Sequence, residues 1–159
     1  MFFKAISRER KIMDEKMLEK IRKQVEKEPY VRLFDIKLLE LKPGSSTARM
    51  QIKDDHKNLH STTHGGAIFS LVDVAFGSAA NSYGITTVAL NIEINYIRPS
   101  RPGDILTASA SEVSRGKTVS TYNIIVKNQD DKIIASTQAI GFITGKKLPF
   151  LDKARDRQA

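Results

Sequence analysis

The stretch His64–Asn81, reading HGGAIFSLVDVAFGSAAN, limits the fold of this chain more than any other. Between Gly65 and Ala80 its only ionisable side chain is Asp73. Ala67, Ile68, Phe69, Leu71, Val72, Val74, Ala75, Phe76 and Ala79 surround it at helical spacing. A helix that is apolar on all faces is wrapped by protein or sits in a membrane. Ser70, Asp73 and Ser78 interrupt the run, which is also shorter than the ~20 residues a bilayer span needs, so the wrapped reading holds. A carboxylate in such surroundings is costly unless paired, hydrogen-bonded or protonated, which makes Asp73 a candidate for chemistry.

A chain of 159 residues reads as one domain, or one domain with short appendages. The absence of cysteine excludes disulfides and zinc–thiolate sites, and it fits a reducing cytoplasm. The opening MFFKAIS is followed at once by SRERK, leaving no apolar segment of the ~7–15 residues a signal peptide requires. The expectation is a cytoplasmic protein with no membrane partner, whose translation starts at Met1 or Met13. The net charge of +8 raises a nucleic-acid reading, so its location matters. Residues 1–32 hold ten Lys/Arg against six Asp/Glu, residues 145–159 five against two, and the interior only eleven against ten. The charge therefore belongs to solvated termini, and no nucleic-acid partner is expected.

Residues 8–28 read as an amphipathic helix with Ile12, Met17, Leu18, Ile21 and Val25 on one stripe, stopped by Pro29. Val31–Leu41 has a strand-like pattern, residues 42–45 form a turn, and Thr47–Ile52 alternates Ala48, Met50 and Ile52 inward against Arg49 and Gln51 outward. A polar segment, Lys53–Thr63, leads into the central helix, whose exit is marked by Asn81 and Gly84. Strands follow at Thr87–Tyr96, Asp104–Val113, Thr118–Lys127 and Lys132–Thr144, joined by short turns. Strands gathered around one buried helix predict an α+β fold with an antiparallel sheet curled about one side of that helix. A second copy of the chain, related by two-fold symmetry, is the simplest cover for the other side.

Gly65 and Gly66 open the central helix, where bare backbone N–H groups and the helix dipole stabilise negative charge on an oxygen, as an oxyanion hole must. The competing reading is two glycines that merely let strand and helix pack closely. Asp73 lies eight residues past Gly65, about 12 Å along a helix, so both reach one carbonyl only across a dimer of antiparallel central helices. His56, His60 and His64 have metal-ligand spacing on a helix, but Asn58, Ser61, Thr62 and Thr63 between them are loop formers, so no metal is expected. His64 is read as orienting the glycine turn.

The pattern Asn58, His64-Gly65-Gly66, Leu71-Val72-Asp73, then Tyr96-Ile97-Arg98-Pro99 and Gly103-Asp104 resembles the hot-dog-fold acyl-CoA thioesterases of the PaaI and 4-hydroxybenzoyl-CoA thioesterase group, from about Leu33 to Thr144. The resemblance implies a curled antiparallel sheet around one long helix over residues 30–145, preceded by a helical extension (1–29) and followed by a basic tail (146–159). It also implies hydrolysis of an acyl-CoA to free acid and CoA, without a cofactor, by a homotetramer built as a dimer of dimers. Carried onto matching positions, Asp73 is the general base or nucleophile and Gly65 the N–H that polarises the thioester. Asn58 lies near the attacking water and His64 supports the site. Gly66 lies beside the substrate, and Arg98, Arg101, Arg115 and Lys117 are candidates for the CoA phosphates. Where some relatives place Ser or Thr on the strand after the helix this chain has Ala89, so water positioning falls to Asn58 or Asn91. Phe69, Phe76, Tyr83 and Tyr96 line an aromatic or medium-chain acyl pocket or are ordinary core. The alternatives from other classes are a hot-dog enoyl hydratase or dehydratase and a non-catalytic acyl-CoA-binding module.

Overall fold

The computed structural model describes residues 2–152, with side chains from residue 14 onward. Its helices are α1 (Phe2–Lys27), α2 (Pro29–Leu33) and α3 (Gly65–Asn81). Its strands are β1 (Lys37–Lys42), β2 (Ser45–Gln51), β3 (Ile85–Tyr96), β4 (Ile105–Arg115), β5 (Val119–Lys127) and β6 (Ile133–Lys147). The strands form one antiparallel sheet in the order β1-β2-β4-β5-β6-β3, so the long strand β3 closes one edge.

Alternation in the strands supplies one apolar face. Ala48 and Met50 of β2, Leu106, Ala108 and Ala110 of β4, Tyr122, Ile124 and Val126 of β5, and Ala135 and Ala139 of β6 are all buried. Against it α3 buries Leu71, Val72, Ala75 and Ala79. Alanine on both partners lets helix and sheet approach closely, close enough for the Ser46 hydroxyl to donate to the Ala75 carbonyl at 2.6 Å. Phe76 meets Tyr122 edge-on with ring centroids 5.4 Å apart.

This sheet wraps only one side of α3. Gly66 and Asp73 are exposed, and Phe69, Val74 and Gly77 only partly covered, at spacings that form one open stripe along the helix. Asp73 is therefore open in the single chain, on the side of the helix that the sequence analysis leaves to a second copy. The sequence shows that every side of the helix is apolar, but not whose atoms cover each side.

Two further expectations change. Helix α1 begins at Phe2 rather than residue 8, and it packs on the core through Ile21, with Met17, Leu18 and Val25 partly buried. The Arg22 guanidinium pins it to β1 by donating to the carbonyls of Leu38 (2.5 Å) and Leu39 (3.3 Å). The Ile12 side chain lies outside the described residues. The strand expected over Val31–Leu41 starts instead as α2: Pro29 has the backbone geometry of a first helical residue, Asp35 turns the chain with φ +53°, and β1 begins only at Lys37. Helical Val31 still reaches the core, and its burial is the feature that a strand reading shares. At the other end, β6 and the short turn Pro149–Leu151 take up the start of the expected tail, whose residues 153–159 lie outside those described. No helix among the described residues is long and apolar enough to cross a membrane.

Candidate active site

The start of α3 is held by three local contacts. His64 caps the helix, its Nδ1 accepting from the Gly66 N–H at 2.9 Å, and its own N–H donates to the His56 carbonyl at 2.7 Å. The Tyr96 hydroxyl donates to the Gly65 carbonyl at 3.0 Å, and its ring lies so close that a Cβ at position 65 would fall 3.1 Å from Cζ and Oη. The cap thus occupies the Gly66 N–H, whereas the Gly65 N–H has no acceptor among the described residues. Of the two glycines, Gly65 carries the free donor at the positive end of the helix.

Asn58 stands beside this turn with its side chain fully engaged. Oδ1 accepts from the N–H groups of His60 (2.8 Å) and Thr62 (3.2 Å), while Nδ2 donates to Thr62 Oγ1 (2.9 Å) and the Thr63 carbonyl (3.3 Å). It shapes the loop. Buried Ser100, absent from the sequence reading, locks the same loop to the exit of β3 by donating to Thr63 Oγ1 at 2.7 Å. Asn58, Gly65, Ile68, Tyr96, Arg98 and Ser100 line one cavity of about 340 Å³.

Asp73 opens onto a different cavity of about 320 Å³, walled by Val74, Phe76 and Gly77 of α3 and by Val25 and Glu28 of α1 and its end. The outer edge of Asp73 is open, yet the apolar walls desolvate the carboxyl and push its pKa above the ordinary carboxylate value. Glu28 is raised too, first by burial and then by the charge of Asp73, so the two carboxylates sense one another. Beside them Ser70 Oγ donates to the Gly66 carbonyl at 2.8 Å and sits 2.8 Å from Tyr30 Oη; with the serine proton committed, the tyrosine is the donor. Glu28 and Tyr30 are absent from the sequence reading.

The remaining candidates scatter. Arg98 reaches the Gly65 cavity while its Nη1 donates to the Ile133 carbonyl at 2.9 Å. The side chains of Arg101 and Lys117 are exposed without a protein partner among the described residues, and Asn91 lies exposed on β3, one residue past a bulge, in neither cavity wall. Arg115 is committed elsewhere: it stacks 4.0 Å over the Tyr83 ring and pairs with Glu112 at 3.6 Å. Glu112 also accepts from Tyr83 (3.1 Å) and from Tyr122 (2.8 Å), whose pKa is pushed up to about 12 by burial and by that bond. Of the four aromatics, Phe76 walls the Asp73 cavity, Tyr96 the Gly65 cavity, Tyr83 belongs to the Arg115 cluster, and Phe69 lies on the open stripe. His56 packs on Phe34, its Nδ1 accepting from the Lys53 N–H, and burial lowers its pKa. Among the described residues no group of three or more His, Cys, Asp or Glu is arranged to hold a metal.

A thioesterase superfamily model matches residues 60–135, which contain both α3 and the glycine turn. The acyl-coenzyme A thioesterase PaaI of Escherichia coli K12 is 32% identical over 139 residues, 84% of this chain and 99% of that protein. The solved E. coli PaaI structure superposes with a TM-score of 0.80 at 30% identity, covering 84% of this chain and 97% of that one. The TT0310 protein of Thermus thermophilus matches at TM-score 0.71 and 33% identity, covering 74% of this chain and 98% of its own. The smu.793 protein of Streptococcus mutans UA159, solved bound to acetyl CoA, matches at TM-score 0.68 and 28% identity, covering 71% and 91%. With this identity spread over nearly the whole E. coli protein, and with the same sheet curled about the same helix, the chain belongs to the thioesterase superfamily and has its hot-dog fold.

Proposed function

We propose that the protein is an acyl-CoA thioesterase whose two active sites lie between two copies of the chain, each built from Gly65 of one and Asp73 of the other. The observation that carries this is the division of labour along α3. The free N–H at its start and the desolvated carboxylate on its open stripe face two separate cavities, about 12 Å apart on one helix. Antiparallel pairing of two α3 helices closes that gap twice per dimer. Edge strand β3 supports such pairing, since among the described residues its outer side has no partner strand in the sheet. An apolar patch, Val119 and Phe142 beside Val88 in neighbouring strands, supports a further pairing of dimers into a tetramer.

In this reading the thioester oxygen accepts from the Gly65 N–H while Asp73 of the facing copy takes a proton from water, whose oxygen forms the new C–O bond as C–S breaks. Alternatively the carboxylate attacks first, giving a mixed anhydride that water then cleaves. CoA thiolate leaves unaided, so neither an acid nor a cofactor is required. Arg98, at the Gly65 cavity, and Arg101 and Lys117, without a protein partner among the described residues, are the CoA-phosphate contacts in this proposal; Arg115 is left out because Glu112 and Tyr83 hold it. An imidazole engaged in capping a helix is poorly placed to move protons, which favours hydrolysis over hydration or dehydration at His64. A cysteine-free chain of this kind fits the cytoplasm. The test is thiol release from a panel of acyl-CoA thioesters by the wild type and by Asp73→Ala: the reading expects release only from the former, and equal release from both removes it.

A further inference from the structure

The superfamily match begins at residue 60, which leaves α1 and α2 outside it. α1 nevertheless packs along α3. A Cβ on Gly84, just past the end of α3, would lie 2.7 Å from Met17 Sδ, and Tyr30 at the other end bonds to Ser70. α1 therefore lies antiparallel to α3, and the cavity that begins at Asp73 is the space left between them. Phe76 and, from β3, Thr87 and Ala89 also line it, with Asn81, Leu148 and Phe150 toward the C-terminal end of α3. Asn81 is fixed there: its amide donates to the carbonyls of Gly77 and Thr87, and its Oδ1 accepts from the Thr87 N–H. Midway, a Cβ on Gly77 would meet nothing within 4 Å, so a larger side chain there would project into open space. No cationic side chain among the described residues lines it, and two carboxylates stand at its mouth.

We infer that α1 sets the length of the acyl group this protein accepts, forming one wall of a dead-ended channel for an uncharged chain that enters at Asp73 and stops at Asn81. The inference rests on the reading of Asp73 as the catalytic carboxylate. Asp73 to Asn81 spans eight residues, about 12 Å, and a saturated chain of ~1.5 Å bonds advances about 1.25 Å per carbon, so the channel holds about eight to ten carbons or a single substituted ring. Acyl groups with a second carboxylate near the thioester meet Glu28 and Asp73 and are rejected.

The experiment measures binding of non-hydrolysable S-alkyl-CoA thioethers, propyl to dodecyl, by calorimetry, with thiol release from the matching thioesters scored alongside. In the wild type, affinity rises about fourfold per methylene and levels off near eight to ten carbons. Gly77→Leu from the α3 side and Val25→Phe from the α1 side both make it level off about three or four carbons earlier, with cooperative thermal unfolding retained as the check on folding. A wild-type profile without a plateau, or a plateau that both folded variants leave in place, overturns the channel. A shift in Gly77→Leu but not in Val25→Phe overturns the part assigned to α1. A chain-length profile that behaves as expected while no thioester is cleaved leaves the channel standing and defeats the hydrolase reading instead.

Discussion

Gly65→Ala separates the chemistry of the helix start from its stability. Gly65 does not use the left-handed backbone region, so alanine fits the main chain without strain. The added methyl lies 3.1 Å from Tyr96 Cζ and Oη, tighter than ordinary contact; because Tyr96 is 52% exposed its ring can yield, breaking the 3.0 Å bond to the Gly65 carbonyl. That bond is worth about 1 kcal/mol, and because Gly65 is the first helical residue, alanine returns only part of the helix-interior preference of about 1 kcal/mol. The net change is within about 1 kcal/mol, a Tm shift of no more than ~2–4 °C in a domain of this size. Catalysis fares differently. A methyl beside the free N–H of the turn crowds the approach of a thioester oxygen to that donor, and losing such a donor costs about 10²–10³ in kcat. Thermal unfolding and thiol release on the same preparation read both numbers. Full activity in a variant of unchanged Tm would refute the assignment of Gly65 as the polarising donor.

Other perturbations probe other parts of the site. Asp73 has a raised pKa in the folded chain, so its ionised form opposes folding: the cost is absent below the unfolded-state value and grows as pH rises past it. Asp73→Asn is therefore expected to unfold at a higher temperature than the wild type at about pH 8, the gap closing toward about pH 3, as followed by calorimetry. Arg98→Ala is expected to raise KM for acyl-CoA roughly three- to tenfold, the loss of about one charge-assisted contact. Arg115→Ala instead leaves KM alone and lowers stability by about 1–3 kcal/mol in denaturant melts, because Glu112 loses its cation in a half-buried cluster.

The helix and its acid are legible because one charge in an apolar run stands out at any register, and the strands because their alternation is strict around Ala48, Met50, Tyr122 and Ile124. Local pattern fails where two structures share one pattern: a short apolar run after a proline reads as strand, yet Pro29 starts a helical turn that buries the same Val31. Partners distant in sequence are invisible. Glu28 and Tyr30 look like solvent residues at a helix end until α1 folds along α3, and Arg115 looks like a free turn cation until Glu112 and Tyr83 meet it. Nor does a single sequence tell which side of the helix its own sheet covers, so the exposure of Asp73 along one stripe is read only from the fold.

The most direct test is subunit mixing. Asp73→Ala and Gly65→Ala chains, each inactive alone, are unfolded together, refolded at equal concentration and assayed for thiol release. If each site takes Gly65 from one copy and Asp73 from the other, half of the dimers are mixed and each holds one intact site, so about a quarter of wild-type activity returns. Activity that stays at the level of the separate variants, with mixed dimers demonstrated by mass spectrometry, would contradict a site shared between two chains.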